Sequence, residues 1–120
     1  MTELLMQRDI VYVTFDPSVG HEIQKRRPAL VMSRNEYNLS TNFIIVCPIT
    51  STPHHRPFLI PLVEPVQKNI LRHGSQVNTA QVYSLDSHSV SREIKKIGHL
   101  NQREFLKIAQ YFSLNFNFPF

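Results

Sequence analysis

Residues 94–112, IKKIGHLNQREFLKIAQYF, decide the fold class. Ile94 to Leu100 reads as a β-strand carrying Lys95 and Lys96. At Asn101 the period changes. Asn101 with Glu104 three residues later has the spacing of a capping box, the start signal of a helix. Phe105, Ile108, Ala109 and Phe112 then recur at helical spacing and form one apolar face. A helix with one apolar stripe must bury it against another layer. The tail beyond alternates Phe116, Phe118 and Phe120 with Asn115 and Asn117, which is apolar for a terminus and is expected to pack on the body or on a partner.

Upstream, the chain reads as short strands. Ile10 to Phe15 is a first strand, stopped at Asp16-Pro17. The polar stretch VGHEIQKRR, residues 19–27, is a loop. Ala29 to Met32 is a second strand, with Pro28 at its start. NEYN, residues 35–38, suggests a turn or one helical turn. Asn42 to Cys47 is a third strand, ending at Pro48. Residues 51–56, STPHHR, form a loop, and Phe58 to Val63 a fourth strand that Pro57 and Pro61 push toward a sheet edge. Glu64 to Gly74 reads as a surface loop, and Ser75 to Leu85 as one bent strand or two. Several short strands followed by one helix fit a small, strongly bent antiparallel sheet or barrel with the helix packed on it.

The chain of 120 residues forms one domain, residues 1–120, without repeats or linkers. Hydrophobic residues are 42% and charged residues 18%, a globular composition that excludes long disorder. The charge, 13 − 9 = +4, mildly favours a polyanionic partner. The lone cysteine, Cys47, excludes an internal disulfide and a thiolate zinc cluster, and reads as a buried small hydrophobe. No apolar run reaches the roughly 18 residues of a membrane helix. The start, MTELLMQRD, is too short and too acidic for a secretory signal, so a cytoplasmic protein is expected.

Five stretches, in order, carry a family resemblance: RDIVYVTFDPSVGHE (8–22), KRRPALVMSRNEYN (25–38), IIVCPITS (44–51), AQVYSLD (80–86) and KKIGHL (95–100). Together they resemble the MazF/PemK toxins, the ribonuclease component of bacterial toxin–antitoxin pairs. The resemblance implies a mainly β fold with a C-terminal helix, an SH3-like barrel of the CcdB/MazF type. It implies a homodimer, a MazE/PemI-like antitoxin partner and no cofactor. It also implies sequence-specific, metal-independent cleavage of single-stranded RNA, with arrest of translation and growth.

Such cleavage uses the RNA's own 2′-OH to attack the adjacent phosphorus, giving a 2′,3′-cyclic phosphate and a 5′-OH. The site must stabilise phosphorane charge, remove the 2′ proton and protonate the 5′ oxygen. The family's key arginine precedes the proline of its RP motif, here Arg27, whose planar fork grips phosphate bidentately. Its key threonine falls on Thr50 of PITS. Glu22 matches an acidic residue of the GxE element. His21 stands where other members carry serine, and an imidazole can exchange a proton near neutral pH. A guanidinium is a poor proton donor. Lys25, Arg26, Ser51 and Gln81 are expected RNA contacts. His54, His55 and Arg56 read as a loop turned toward RNA, since adjacent histidines on a strand face opposite ways and make a poor metal site.

Several positions depart from the pattern. Ala80 stands where members usually carry an acid, and Asn78 where some carry an arginine, so a mechanism built on that pair does not transfer. Arg8 replaces the usual glycine before Asp9, and Lys25 a glycine of the GxE loop. Ala80 favours a rival reading, a non-cleaving barrel acting on another target as CcdB acts on gyrase. A third reading, a nucleic-acid-binding module without a toxin role, would stack bases on Tyr12, Tyr37 or Tyr83.

Overall fold

The structure, a computed structural model, describes residues 4–15, 26–63 and 70–119. Its elements are β1 (Asp9–Thr14), β2 (Arg26–Val31), α1 (Asn35–Thr41), β3 (Phe43–Thr50), β4 (Leu59–Pro61), β5 (Gln76–Asn78), β6 (Tyr83–Asp86), β7 (Lys95–His99) and α2 (Gln102–Ser113). A 3-10 turn, Val90–Arg92, precedes β7. The strands run in the order β4-β5-β3-β2-β1-β7, with β6 also paired to β3. Every pairing is antiparallel. The expected mainly β fold with a C-terminal helix is present, but the sheet is not a closed barrel: β4 and β7 end the order without pairing with each other.

Alternation along the strands feeds two apolar clusters. Ile10, Leu30, Cys47, Ile49 and Val77 join Phe105 and Ile108 of α2 in one. Val11, Val13, Ala29, Val31, Ile44, Val46 and Leu85 join Leu5 in the other. The side chains of a strand point alternately to opposite faces, so neighbours in sequence serve different clusters. The β1–β7 register shifts between Ile10 and Val11.

Strand β3 runs through Pro48 to Thr50 rather than ending at Cys47. Along one edge, Phe43 to Val46 pair with β6 while Ile49 and Thr50 pair with β5. Pro48 falls in the gap between those two partners, where a missing N–H is tolerated. Strand β4 is shorter than Phe58 to Val63 and lies at the sheet's end, as its prolines demand. Ser75 to Leu85 divides into two strands, β5 and β6.

Residues 35–41 form two helical turns, more than NEYN suggests. Ser40 and Thr41 hydroxyls donate to the Glu36 and Tyr37 carbonyls at 2.8 and 2.7 Å. Asn42 then takes a left-handed conformation, φ 62°, which turns the chain into β3. Arg8 is also left-handed, φ 80°, at the position where the family pattern has glycine. Its N–H donates to the Val31 carbonyl at 2.9 Å, and its carbonyl accepts from Leu100 N–H at 2.8 Å.

Asn101 caps α2, accepting from Glu104 N–H at 2.8 Å. The reciprocal half of the box is spent elsewhere: the buried Glu104 carboxylate accepts from Val63 N–H, tying the helix to the chain leaving β4. Past α2 the tail packs on itself and on the body. The Phe116 ring meets Phe112 at 5.7 Å and Phe118 at 5.9 Å, and Asn115 donates to the Thr79 carbonyl. Phe120 lies outside the described residues.

Candidate active site

A cleft of about 630 Å³ opens where β2, the end of β3, the 51–58 loop and the turn before β5 converge. The register of β2 on β3 positions its two central side chains. Ala29 pairs with Pro48. Two residues farther toward the start of β2 stands Arg27, and two farther toward the end of β3 stands Thr50; both line the cleft. Both lie past the last hydrophobic pairs of their strands, so Arg27 is exposed and Thr50 half-buried.

The Thr50 hydroxyl oxygen accepts from Thr52 N–H at 3.3 Å. Among the described residues its own proton has the Thr52 hydroxyl alone to serve, at 3.5 Å, the limit of a hydrogen bond. That proton can be donated to an incoming oxygen. The loop that follows is fixed by Gln76, a buried residue of β5. Its side-chain amide donates to the Thr52 carbonyl at 3.2 Å and to the His54 carbonyl at 2.9 Å. His54 and Arg56 line the cleft beyond Thr50.

The opposite rim comes from the segment read as a surface loop. Leu71 packs against the apolar cluster beneath α2, and Arg72 beside it lines the cleft. A tight turn holds Arg72: its carbonyl accepts from the Ser75 hydroxyl at 2.6 Å and from Ser75 N–H at 3.2 Å, and Gly74 takes φ 80°. Arg72 is a cleft residue that sequence reasoning missed; its neighbour Leu71, an apolar anchor in a polar stretch, is the local signal for it.

Arg26 lines the cleft but is committed to structure. Its guanidinium lies 5.9 Å from the Tyr12 ring centroid, donates to the Glu93 carbonyl and sits 3.9 Å from the Glu93 carboxylate. Ser51 and Gln81, expected RNA contacts, both line the cleft. So does Asn78, whose side chain accepts from Ala80 N–H at 3.1 Å and shapes the turn to Gln81. Ala80 is not among the lining residues. Of the three tyrosines considered for stacking, only Tyr12 reaches the cleft; Tyr83 packs on Phe15 at 4.7 Å. His21, Glu22 and Lys25 lie outside the described residues.

The lining residues include Arg26, Arg27, Arg56, Arg72 and His54, and no described carboxylate. No group of three or more described His, Cys, Asp or Glu residues has the arrangement of a metal site. Among the described lining residues the cleft is thus rich in guanidinium and hydroxyl donors, a donor set that suits an anion better than a cation. No described helix is long and apolar enough to cross a membrane.

Over 54 residues the chain is 37% identical to the endoribonuclease toxin MazF of Escherichia coli strain K12, covering 45% of this chain and 49% of that protein. The chain thus spans about half the length of the curated relative it matches. Over 93% of its length it superposes on MazF of Deinococcus radiodurans, covering 96% of that chain with a TM-score of 0.74 at 26% identity. It shares the fold of a crystallised MazE–MazF complex from the same organism, with a TM-score of 0.72 at 22% identity over 93% of this chain and 94% of that one. Residues 6–116 match the family described as PemK-like, MazF-like toxins of type II toxin-antitoxin systems, and the chain belongs to that family.

Proposed function

We propose that the protein is the ribonuclease toxin of a toxin–antitoxin pair. It cuts single-stranded RNA at a short sequence, leaving a 2′,3′-cyclic phosphate and a 5′-OH, and thereby stops translation and growth. The observation that carries this reading is the placement of Arg27 and Thr50 side by side in a cleft lined by further arginines and no described carboxylate. Arg27 grips the scissile phosphate through two parallel N–H bonds and holds the charge that builds on it. Thr50 donates its hydroxyl proton to a phosphate oxygen or orients the 2′-OH. Guanidinium charge takes the part that a divalent cation plays in other nucleases, so no cofactor is required. Ser51 and Gln81 contact the flanking RNA, while Arg26, expected as a contact, is held by Glu93 and shapes the rim. Lys25, His21 and Glu22 keep the contact and proton-transfer roles that the family pattern gives them.

The relatives' names support the reading: one is called an endoribonuclease toxin, and another was crystallised as a MazE–MazF complex. The same reading makes the protein a cytoplasmic homodimer whose activity a cognate antitoxin blocks. The test is incubation with end-labelled single-stranded RNA pools in EDTA. Discrete cuts with 5′-OH and cyclic phosphate ends are expected. No cleavage of any varied RNA pool would overturn the reading and leave a non-cleaving barrel, as the absent acid at Ala80 would favour.

A further inference from the structure

We propose that His54 is a catalytic residue of this cleft, the acid that protonates the departing 5′ oxygen. The inference rests on the proposed ribonuclease reading and adds a residue to it. When the 2′ oxygen bonds to phosphorus, the bond from phosphorus to the 5′ oxygen breaks and its electron pair goes to that oxygen. The 2′ proton passes to the site's proton-accepting group and from it to solvent water, and the leaving oxygen must gain a proton. An imidazolium supplies it, becomes neutral imidazole and is reprotonated from solvent. Atoms and charge balance without any other reactant.

Three observations select His54. First, of the described residues lining the cleft, it alone carries a side chain that ordinarily exchanges a proton near neutral pH. The others are arginines, which stay protonated, and hydroxyl, amide and apolar side chains, none of a type that exchanges a proton in that range. Second, Ala80 carries no ionisable side chain and does not line the cleft, so it offers no acid in its own right. Third, His54 does not sit on a loose loop. The buried amide of Gln76 spans the loop and donates to the carbonyls of both Thr52 and His54, at 3.2 and 2.9 Å. The same strand pair, Thr50 opposite Gln76, sets the reach from Thr50 to that amide. Catalytic groups act when their supports are held by packing and hydrogen bonds, and this loop has such a support. Arg27, Arg56 and Arg72 line the same cleft and leave the phosphate well gripped while the imidazole serves the leaving group.

The experiment compares two RNAs of one sequence, one natural and one with sulfur in place of the bridging 5′ oxygen at the scissile linkage. A thiolate leaves without protonation, so the sulfur substrate does not need an acid. His54→Ala should cut the natural RNA about 10²-fold more slowly than the unaltered protein and the sulfur RNA within a few-fold of it. His88→Ala, at an exposed histidine that does not line the cleft, should cut both at unaltered rates. Gln76→Met, which removes the loop's support, should slow the natural RNA more than the sulfur RNA. Unaltered cleavage of natural RNA by His54→Ala would overturn the proposal. Equal slowing of both substrates by His54→Ala would overturn it too and make the residue a positioning one. If the unaltered protein cuts neither RNA, the ribonuclease reading falls and takes this inference with it, a result distinct from the other two.

Discussion

Arg27 stands two residues from Ala29 on β2, and Thr50 stands two residues from Pro48 on β3, so the Ala29–Pro48 pairing sets the guanidinium and the hydroxyl into one cleft. In an antiparallel ladder that spacing returns both side chains to the same face. The two groups are therefore placed by strand register, not by a flexible loop.

Arg27→Ala should abolish most cleavage while leaving the fold intact. Arg27 is exposed at a strand's start, so its removal should shift stability by no more than about 0.5 kcal/mol. Loss of one donor to the transition-state charge should cost about 10²–10³ in rate. Arg27→Lys should recover little, because an ammonium lacks the paired fork. Thr50→Ala should weaken cleavage severely. Cleavage rates beside urea melts of each variant check this; an active Arg27→Ala protein would remove Arg27 from the site.

RNA binding should weaken with salt in proportion to the free arginines of the cleft. Arg26 is engaged by Glu93, which leaves Arg27, Arg56 and Arg72 among the described lining residues. Three phosphate contacts give a slope of log K against log salt near −2 on single strands. Binding titrations between 50 and 300 mM salt measure it, and a flat line would refute the electrostatic account. Arg72→Ala should reduce the slope by roughly 0.7.

Arg8→Gly should stabilise the protein by about 0.5 kcal/mol. An arginine at φ 80° carries a left-handed strain of about 1–2 kcal/mol, which glycine lacks. Against this, glycine loses more freedom on folding, about 0.5–1 kcal/mol. The first effect wins by a small margin. Arg8→Val should destabilise, since a branched side chain suffers more at that φ. Denaturant midpoints of the two variants should move in opposite directions.

Cys47 should resist thiol reagents until the chain unfolds, and it should make the fold sensitive to alkali. Burial pushes its thiol up from 9.0 to about 12. Because the folded state holds the proton more tightly, this contribution is intact below pH 9 and is lost as pH rises from 9 toward 12. The slope is about 1.4 kcal/mol per pH unit. Cys47→Ala should lose stability less steeply than the unaltered protein between pH 8 and 10. Parallel slopes would show that the thiol is not the titrating group.

The fold class was legible in the sequence because the strand-to-helix change at Asn101 is marked by a cap and a clear change of period. What escaped the reading depends on contacts far apart in the chain. Glu104 looks like a capping-box acid, but its carboxylate serves Val63 N–H. Pro48 looks like a strand end, but β3 changes partners on one edge there. Arg27, Thr50, Ser51 and Gln81 were recognisable from motif order. Arg72 was not, because a basic residue in a polar segment carries no local sign that the next turn folds it over a cleft. Tyr12 was named as a stacking candidate and does reach the cleft, whereas Tyr83 is occupied by Phe15.

Strand β3 gives alternate residues to both apolar clusters: Cys47 and Ile49 to one, Ile44 and Val46 to the other. Strands β1 and β2 are divided in the same way, through Ile10 against Val11 and Leu30 against Ala29. Neither cluster can melt while the other survives, because each shares its backbone with its neighbour. The two cores therefore constitute one cooperative unit. Heat should unfold them in a single transition, with equal calorimetric and van't Hoff enthalpies, and amide protons on both faces should exchange only through global opening.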